Sequence, residues 1–237
     1  MVFWSYVCWK ATMGENMPDT KKLLAELLGT LILVTVGGFA IASSVVSGAA
    51  SSLVLIGFGF GFALLAGLYA FGEVSGGHFN PAVSFAAWLD GRIDAVTFAG
   101  YALVQFIGAI LAGYILVWAT NEEFVGSAMA TVPGGGSTAT KAVLLEALLT
   151  AIFVLVILKV TTSGTFGAST FLAISLTLVA IHFAAVPLTG ASVNPARTLG
   201  TAVAGGNFTD LWVYFVGPLL GAGLGWVIFK YVSADSE

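Results

Sequence analysis

Apolar residues in this chain run on without the alternation of a half-buried strand or the narrow stripe of a surface helix. Six runs reach the roughly 20 residues that a helix needs to cross a bilayer. They are Leu23–Ser43, Ser52–Gly72, Ala95–Ala119, Ala142–Val160, Gly167–Pro187 and Leu211–Tyr231. A backbone in hydrocarbon has no water to bond, so each run is expected to be a helix. A β-barrel would show alternating segments of about ten residues instead. Two further apolar stretches, Pro81–Leu89 and Pro195–Ala204, are too short to cross. At about 1.5 Å per residue each covers roughly half of a ~30 Å core. Such segments are tolerated only inside protein or beside a water-filled cavity, so both are expected as re-entrant half-helices. The pattern therefore predicts an all-α integral membrane protein with six transmembrane helices and two half-helices.

Composition agrees with this reading. Hydrophobic residues make up 58% of the 237 residues and charged ones 8%, against about a quarter charged in soluble domains. The net charge of −4 comes with no basic patch, so nucleic acid is excluded as a partner. A single cysteine, Cys8, excludes an internal disulfide and a cysteine-based metal site. No nucleophile–base pair and no cluster of metal ligands appears, so neither an enzyme nor a cofactor is expected. Residues 1–20 read as a cytoplasmic tail resting at the interface through Phe3, Trp4 and Trp9. Orientation follows from the eight Lys and Arg. With both termini inside, Lys10, Lys21, Lys22, Arg92, Lys159 and Lys230 fall on the cytoplasmic side, and only Lys141 falls outside. Glu122, Glu123 and the stretch Pro133–Ser137 then belong to an outer loop.

The two halves resemble each other. Glu26 and Thr30 open span one as Glu146 and Thr150 open span four. Gln105, Gly108 and Ala109 in span three answer Pro218, Gly221 and Ala222 in span six. Ser-Gly-Gly-His-Phe-Asn-Pro-Ala at 75–82 answers Thr-Gly-Ala-Ser-Val-Asn-Pro-Ala at 189–196. Each repeat, about 21–120 and 141–232, has three spans. An odd number makes the second insert upside down relative to the first, a 3+3 inverted repeat with its pathway expected at the repeat interface.

Asn-Pro-Ala is a helix start, because Asn suits the N-cap and Pro the first helical position. One copy would signify nothing more. Two copies, Asn80-Pro81-Ala82 and Asn194-Pro195-Ala196, each opening a half-length helix, bring two positive helix ends together at mid-membrane. Each Asn oxygen can cap its own helix while the amide N–H faces a lumen, a site that donates to water oxygen and repels cations. The loops 76–79 and 190–193 are expected to leave carbonyls free for water. Arg197 sits where a charge is costly unless it faces a cavity.

These residues resemble the two motifs of the aquaporin (major intrinsic protein) family, and the resemblance covers essentially the whole chain after Lys22. It implies a single channel domain over 21–237, multi-pass in the cell membrane, with water as substrate and a homotetramer carrying one pore per subunit. It places Arg197 in an outer constriction with Phe60, His182 and Ala191. Taken alone, Phe60 reads as a packing aromatic and His182 as a satisfied core histidine. Within the family, Phe60, His182 and Thr198 match the water-selective branch, because glycerol-conducting members tend to have Trp, Gly and Asp at those places. Ala191 departs from the Thr or Cys common in water channels. The resemblance also implies that Glu26 and Glu146 support the facing re-entrant loops, Glu26 the second and Glu146 the first. It places His78 in the inner vestibule beside Glu146, and Gly77 and Gly190 in the loops. Glu73 reads as a solvated charge at the inner mouth, and Asn207-Phe-Thr209 as a chance glycosylation match. A passive, proton-excluding water channel is the leading expectation. A facilitator of glycerol or another small neutral solute is the alternative, and a vestigial-pore scaffold or a secondary transporter stands further off.

Overall fold

A computed structural model describes residues 19–50, 52–162 and 167–233. The 1–18 part of the tail, with Phe3, Trp4, Cys8, Trp9 and Lys10, lies outside the described residues. The helices are α1 (Thr20–Val46), α2 (Ser52–Ser75), α3 (Pro81–Leu89), α4 (Ala95–Ala119), α5 (Glu122–Phe124), α6 (Ala139–Val160), α7 (Ala168–Thr189), α8 (Pro195–Gly205) and α9 (Val213–Ser233). Six of them are long and apolar enough to span a bilayer. The half-helices α3 and α8 stand where two short stretches interrupt the pattern.

Spans differ from the apolar runs mainly at their ends, for a local reason. Capping residues are polar and fall outside a hydrophobicity window. Asp19 caps α1 by accepting from Lys21 N at 2.9 Å, and Thr138 caps α6 by accepting from Lys141 N at 3.3 Å. Both helices therefore begin three residues before the apolar run. Asp94 caps α4 through Thr97 N at 2.7 Å, which holds its carboxyl below the ordinary range. The fifth apolar run ends at Pro187, yet α7 continues to Thr189 and stops at Gly190, whose φ of 79° is left-handed.

Packing repeats in the two halves. α1 lies against α2 and α4 as α6 lies against α7 and α9, and α2 meets α7 between the halves. Each half-helix reaches across, α3 onto α9 and α8 onto α4. The α4–α8 crossing is close enough to exclude any side chain. A Cβ on Gly113 would collide with Gly200 O, and one on Gly200 would collide with Ala109 O. Gly108 against Leu27 O and Gly221 against Ala147 O are counterparts in the two repeats. Inversion is visible in the charges. Asp19 and Lys22 at the start of α1 line the same vestibule as Lys159 at the end of α6, so these two counterpart helices run in opposite directions. Outward faces are apolar, with Leu103 61% and Trp118 85% exposed, as lipid contact requires.

Candidate functional site

The site is built on two loops, 75–80 and 189–194, that enter from opposite faces and meet at the N-caps of α3 and α8. Each loop lacks internal ladder bonds, so its donors need partners inside the membrane. A carboxylate supplies them. Glu26 Oε1 accepts from Ser75 Oγ (2.6 Å) and His78 N (2.9 Å), and Oε2 from Phe79 N (2.7 Å). Glu146 Oε1 accepts from Thr189 Oγ1 (2.8 Å) and Ser192 N (3.0 Å), and Oε2 from Val193 N (2.7 Å). Both acids are fully buried.

This arrangement corrects the expected pairing. Glu26 holds the first loop and Glu146 the second, each within its own repeat, and His78 sits beside Glu26 rather than Glu146. The physical reason is the fold-back of each loop under its own first span, which brings its N–H groups to that span's carboxylate. The half-helices, by contrast, pack onto the opposite repeat. Two tyrosines complete the scheme in parallel. Tyr101 Oη donates to Ser75 O (2.8 Å) and Tyr214 Oη to Thr189 O (2.7 Å). Sequence reasoning missed this role, although Tyr101 and Tyr214 stand four residues before the matched Gln105 and Pro218.

The halves are not identical. Gln105 Nε2 donates both to Glu26 Oε2 (2.7 Å) and to Ser84 Oγ (2.9 Å), and Ser84 Oγ lies 3.0 Å from His78 Nδ1. Proline at 218 leaves the second half without that branch, and Thr198 there pairs with Ser192 at 2.6 Å.

Asn80 Oδ1 caps α3 through Ala82 N (2.9 Å), and Asn194 Oδ1 caps α8 through Ala196 N (3.0 Å) and Arg197 N (3.3 Å). Pro81 and Pro195 follow at the first helical position. The amides also reach across: Asn80 Nδ2 donates to Val193 O (2.7 Å) and Asn194 Nδ2 to Phe79 O (2.9 Å). The two carbonyls nearest the junction, expected to be free, are thus engaged by protein. Each amide keeps one further N–H.

Beside this junction lies a cavity of about 20 Å³, room for about one or two waters. One wall is apolar, with Leu33, Phe60, Leu64, Phe153, Ile174 and Leu178. The other carries Gly77, His78, Asn80, Ser192, Asn194, His182 and Arg197. Phe60 and His182 stack with ring centroids 4.6 Å apart, and Arg197 Cζ lies 5.3 Å from the Phe60 centroid. Arg197 Nη1 donates to Met129 O at 2.8 Å, while its buried Nε has no protein partner among the described residues. His182 Nδ1 is 2.9 Å from Leu178 O, which directs its other nitrogen away from that helix turn. Ala191 is fully buried at φ 48° and is not among the residues that line this cavity. Ser192 and Val193 form the wall there instead. On the α1 N-terminal side lies a vestibule of about 1240 Å³ that shares His78 with this cavity and is lined by Lys22, Glu73, Asp90, Arg92, Lys159 and Lys230. Asn207 Nδ2 donates to Gly126 O at 2.7 Å and so ties the end of α8 to the loop between α4 and α6. Among the described residues there is no cluster of His, Cys, Asp and Glu able to hold a metal ion.

Comparison with known proteins gives the family. The family described as Major intrinsic protein matches residues 13–229. The chain belongs to this family. As a major intrinsic protein it is a channel with relatives of both transport types. It is 37% identical to "Aquaporin Z" of Photorhabdus laumondii, over 92% of this chain and 99% of that one. It is 40% identical to "Glycerol uptake facilitator protein-like 6" of Lactiplantibacillus plantarum, over 85% and 93%. Mouse "Aquaporin-4" is 34% identical over 97% of this chain and 69% of its own length. An aquaglyceroporin structure from Plasmodium falciparum superposes with a TM-score of 0.77 at 24% identity, covering 91% of this chain and 95% of that one, a likeness of fold.

Proposed function

We propose that this major intrinsic protein is a passive, osmotically driven water channel that excludes protons and rejects glycerol. The observation that carries this reading is the constriction: Phe60 stacked on His182, with Arg197 over the Phe60 ring, around a cavity of about 20 Å³. A glycerol molecule needs several times the space of one water and an apolar face for its carbons. Here the bulk of Phe60 and the polar rim of His182 and Arg197 oppose both needs. Proton exclusion rests on the two positive half-helix ends at Asn80 and Asn194, which favour water with its oxygen toward the amides and disfavour a migrating cation.

The vestibule gathers Lys22, Arg92, Lys159 and Lys230 on the face that carries the start of α1, while Lys141 begins α6. That bias supports cytoplasmic termini in the cell membrane. The homotetramer is carried by likeness to the family alone. Gly57, Gly59, Gly61, Gly221 and Gly225 are already covered within the subunit, whereas Gly223 has open space above it.

The deciding experiment is stopped-flow light scattering on proteoliposomes, in an impermeant osmolyte and then in glycerol. Fast shrinkage in both, with slow recovery in glycerol, supports the water-selective reading. Fast re-swelling in glycerol would give preference to the alternative, a small-solute facilitator, which the 40% identity to a protein of that name keeps in view. A second expectation follows from Cys8 being the chain's single thiol. Mercuric ion is expected to leave water flux through Cys8→Ser unchanged, and persistent block would count against a pore without thiols.

A further inference from the structure

The outer loop between α4 and α6 is anchored at both ends. Its Gly126 packs so tightly on the end of α8 that a Cβ would collide with Gly205 O, and Asn207 Nδ2 donates to its carbonyl at 2.7 Å. Further on, Gly134 N donates to Leu188 O at 2.9 Å. Between these anchors the chain turns through a π-helical stretch, Val125–Met129, and passes over the start of α8. Met129 O accepts from Arg197 Nη1, and Thr131 Oγ1 lies 2.7 Å from Thr198 Oγ1. Both Met129 and Thr131 are buried.

Ser192 Oγ donates to Asn194 O at 2.9 Å and lies 2.6 Å from Thr198 Oγ1, which lies 2.7 Å from Thr131 Oγ1. A chain of three hydroxyls therefore runs from the outer loop to the carbonyl of the residue that caps α8. Meanwhile the Met129 carbonyl is, among the described residues, the guanidinium's one hydrogen-bond partner in the protein, and Nε has none. The guanidinium is only as well fixed as that carbonyl.

We propose that Thr131 is a selectivity-determining residue: its hydroxyl pins the outer loop to α8 and so holds the Met129 carbonyl that sets the distance of Arg197 from Phe60 and His182. Thr131 acts through Met129 and Arg197 and is a positioning residue, two residues beyond the carbonyl it steadies. The proposal rests on the water-selective reading of the constriction.

The test is the ratio of glycerol to water permeability in proteoliposomes of the wild type, Thr131→Val and Thr131→Ser. Valine keeps the shape and burial but removes the hydroxyl, and serine keeps the hydroxyl. The ratio is expected to rise about tenfold in Thr131→Val, the rate equivalent of one lost hydrogen bond, and to stay at the wild-type value in Thr131→Ser. An unmoved ratio in Thr131→Val overturns the proposal, and so does an equal rise in both variants, which would trace the effect to packing. If Thr131→Val does not reconstitute, Thr198→Val breaks the same chain one hydroxyl further in. A raised ratio there supports the proposal and an unmoved one overturns it. Rapid glycerol entry in the wild type overturns the water-selective reading itself, whereas a glycerol-tight wild type with glycerol-tight valine variants overturns this inference alone.

Discussion

Replacing Glu146 with alanine is expected to leave no stably folded channel. Its two oxygens accept from Thr189 Oγ1, Ser192 N and Val193 N, all buried. Alanine leaves three buried donors without their carboxylate partner. Each costs about 1–3 kcal/mol, and together they approach the ~5–15 kcal/mol by which a typical domain is stable. The loop has a second cost to carry. Ala191 and Val193 adopt φ of 48° and 44°, and Val193 is β-branched, for which a positive φ is unusual. Such strain costs on the order of 1–3 kcal/mol per residue and persists only where surrounding contacts over-determine it. Here the carboxylate supplies that determination. Glu146→Gln keeps the shape and one acceptor but turns an amide against N–H donors, so an intermediate loss is expected. Monodispersity after detergent extraction and the thermal midpoint by tryptophan fluorescence read both variants. A Glu146→Ala protein that extracts intact and melts with the wild type would remove Glu146 from its supporting role.

The spans were legible because lipid imposes one strict rule on the backbone, and composition alone betrays obedience to it. Their ends were less so, since Asp19 and Thr138 do their capping from outside the apolar runs. The half-helices were legible because Asn-Pro marks a helix start twice, at matched places. What the repeat could not convey was which loop each acid holds. Matching Glu26 with Glu146 and one loop with the other pairs the elements, but leaves open whether each bond lies within a repeat or between repeats. Only the fold-back decides, and it decides for the same repeat. The outer loop was harder still. Met129 acts through a carbonyl, which every residue possesses, and Gly126 acts by having nothing on its Cα. The first leaves no trace in residue type, and the second is one glycine among 30. Thr131 is one threonine among many until Thr198 is seen 2.7 Å away.

Arg197→Val should separate the two things the constriction does. Valine is the natural choice, because Val83 occupies the matched place after the first Asn-Pro-Ala and α3 accepts it buried. The half-helix is therefore expected to fold around the shorter side chain while the guanidinium's bulk and charge disappear together. Arg197 Cζ lies 5.3 Å from the Phe60 centroid, so a cation passing this constriction comes within that distance of the guanidinium. At an effective dielectric near 20, two unit charges about 5 Å apart repel by about 3 kcal/mol, which is roughly a hundredfold in rate. Glycerol entry and proton leak are both expected to rise, the first read by re-swelling and the second by a trapped pH dye under a pH gradient. The leak should remain limited, because the half-helix ends at Asn80 and Asn194 still oppose a cation at mid-membrane. Arg197→Lys keeps the charge but loses the planar fork that bonds Met129 O. It is expected to admit glycerol while staying proton-tight, so that size and charge report separately. If Arg197→Val rejects glycerol and protons as the wild type does, selectivity is set elsewhere in the cavity. The apolar lining at Leu33, Leu64 and Phe153 would then be the place to look.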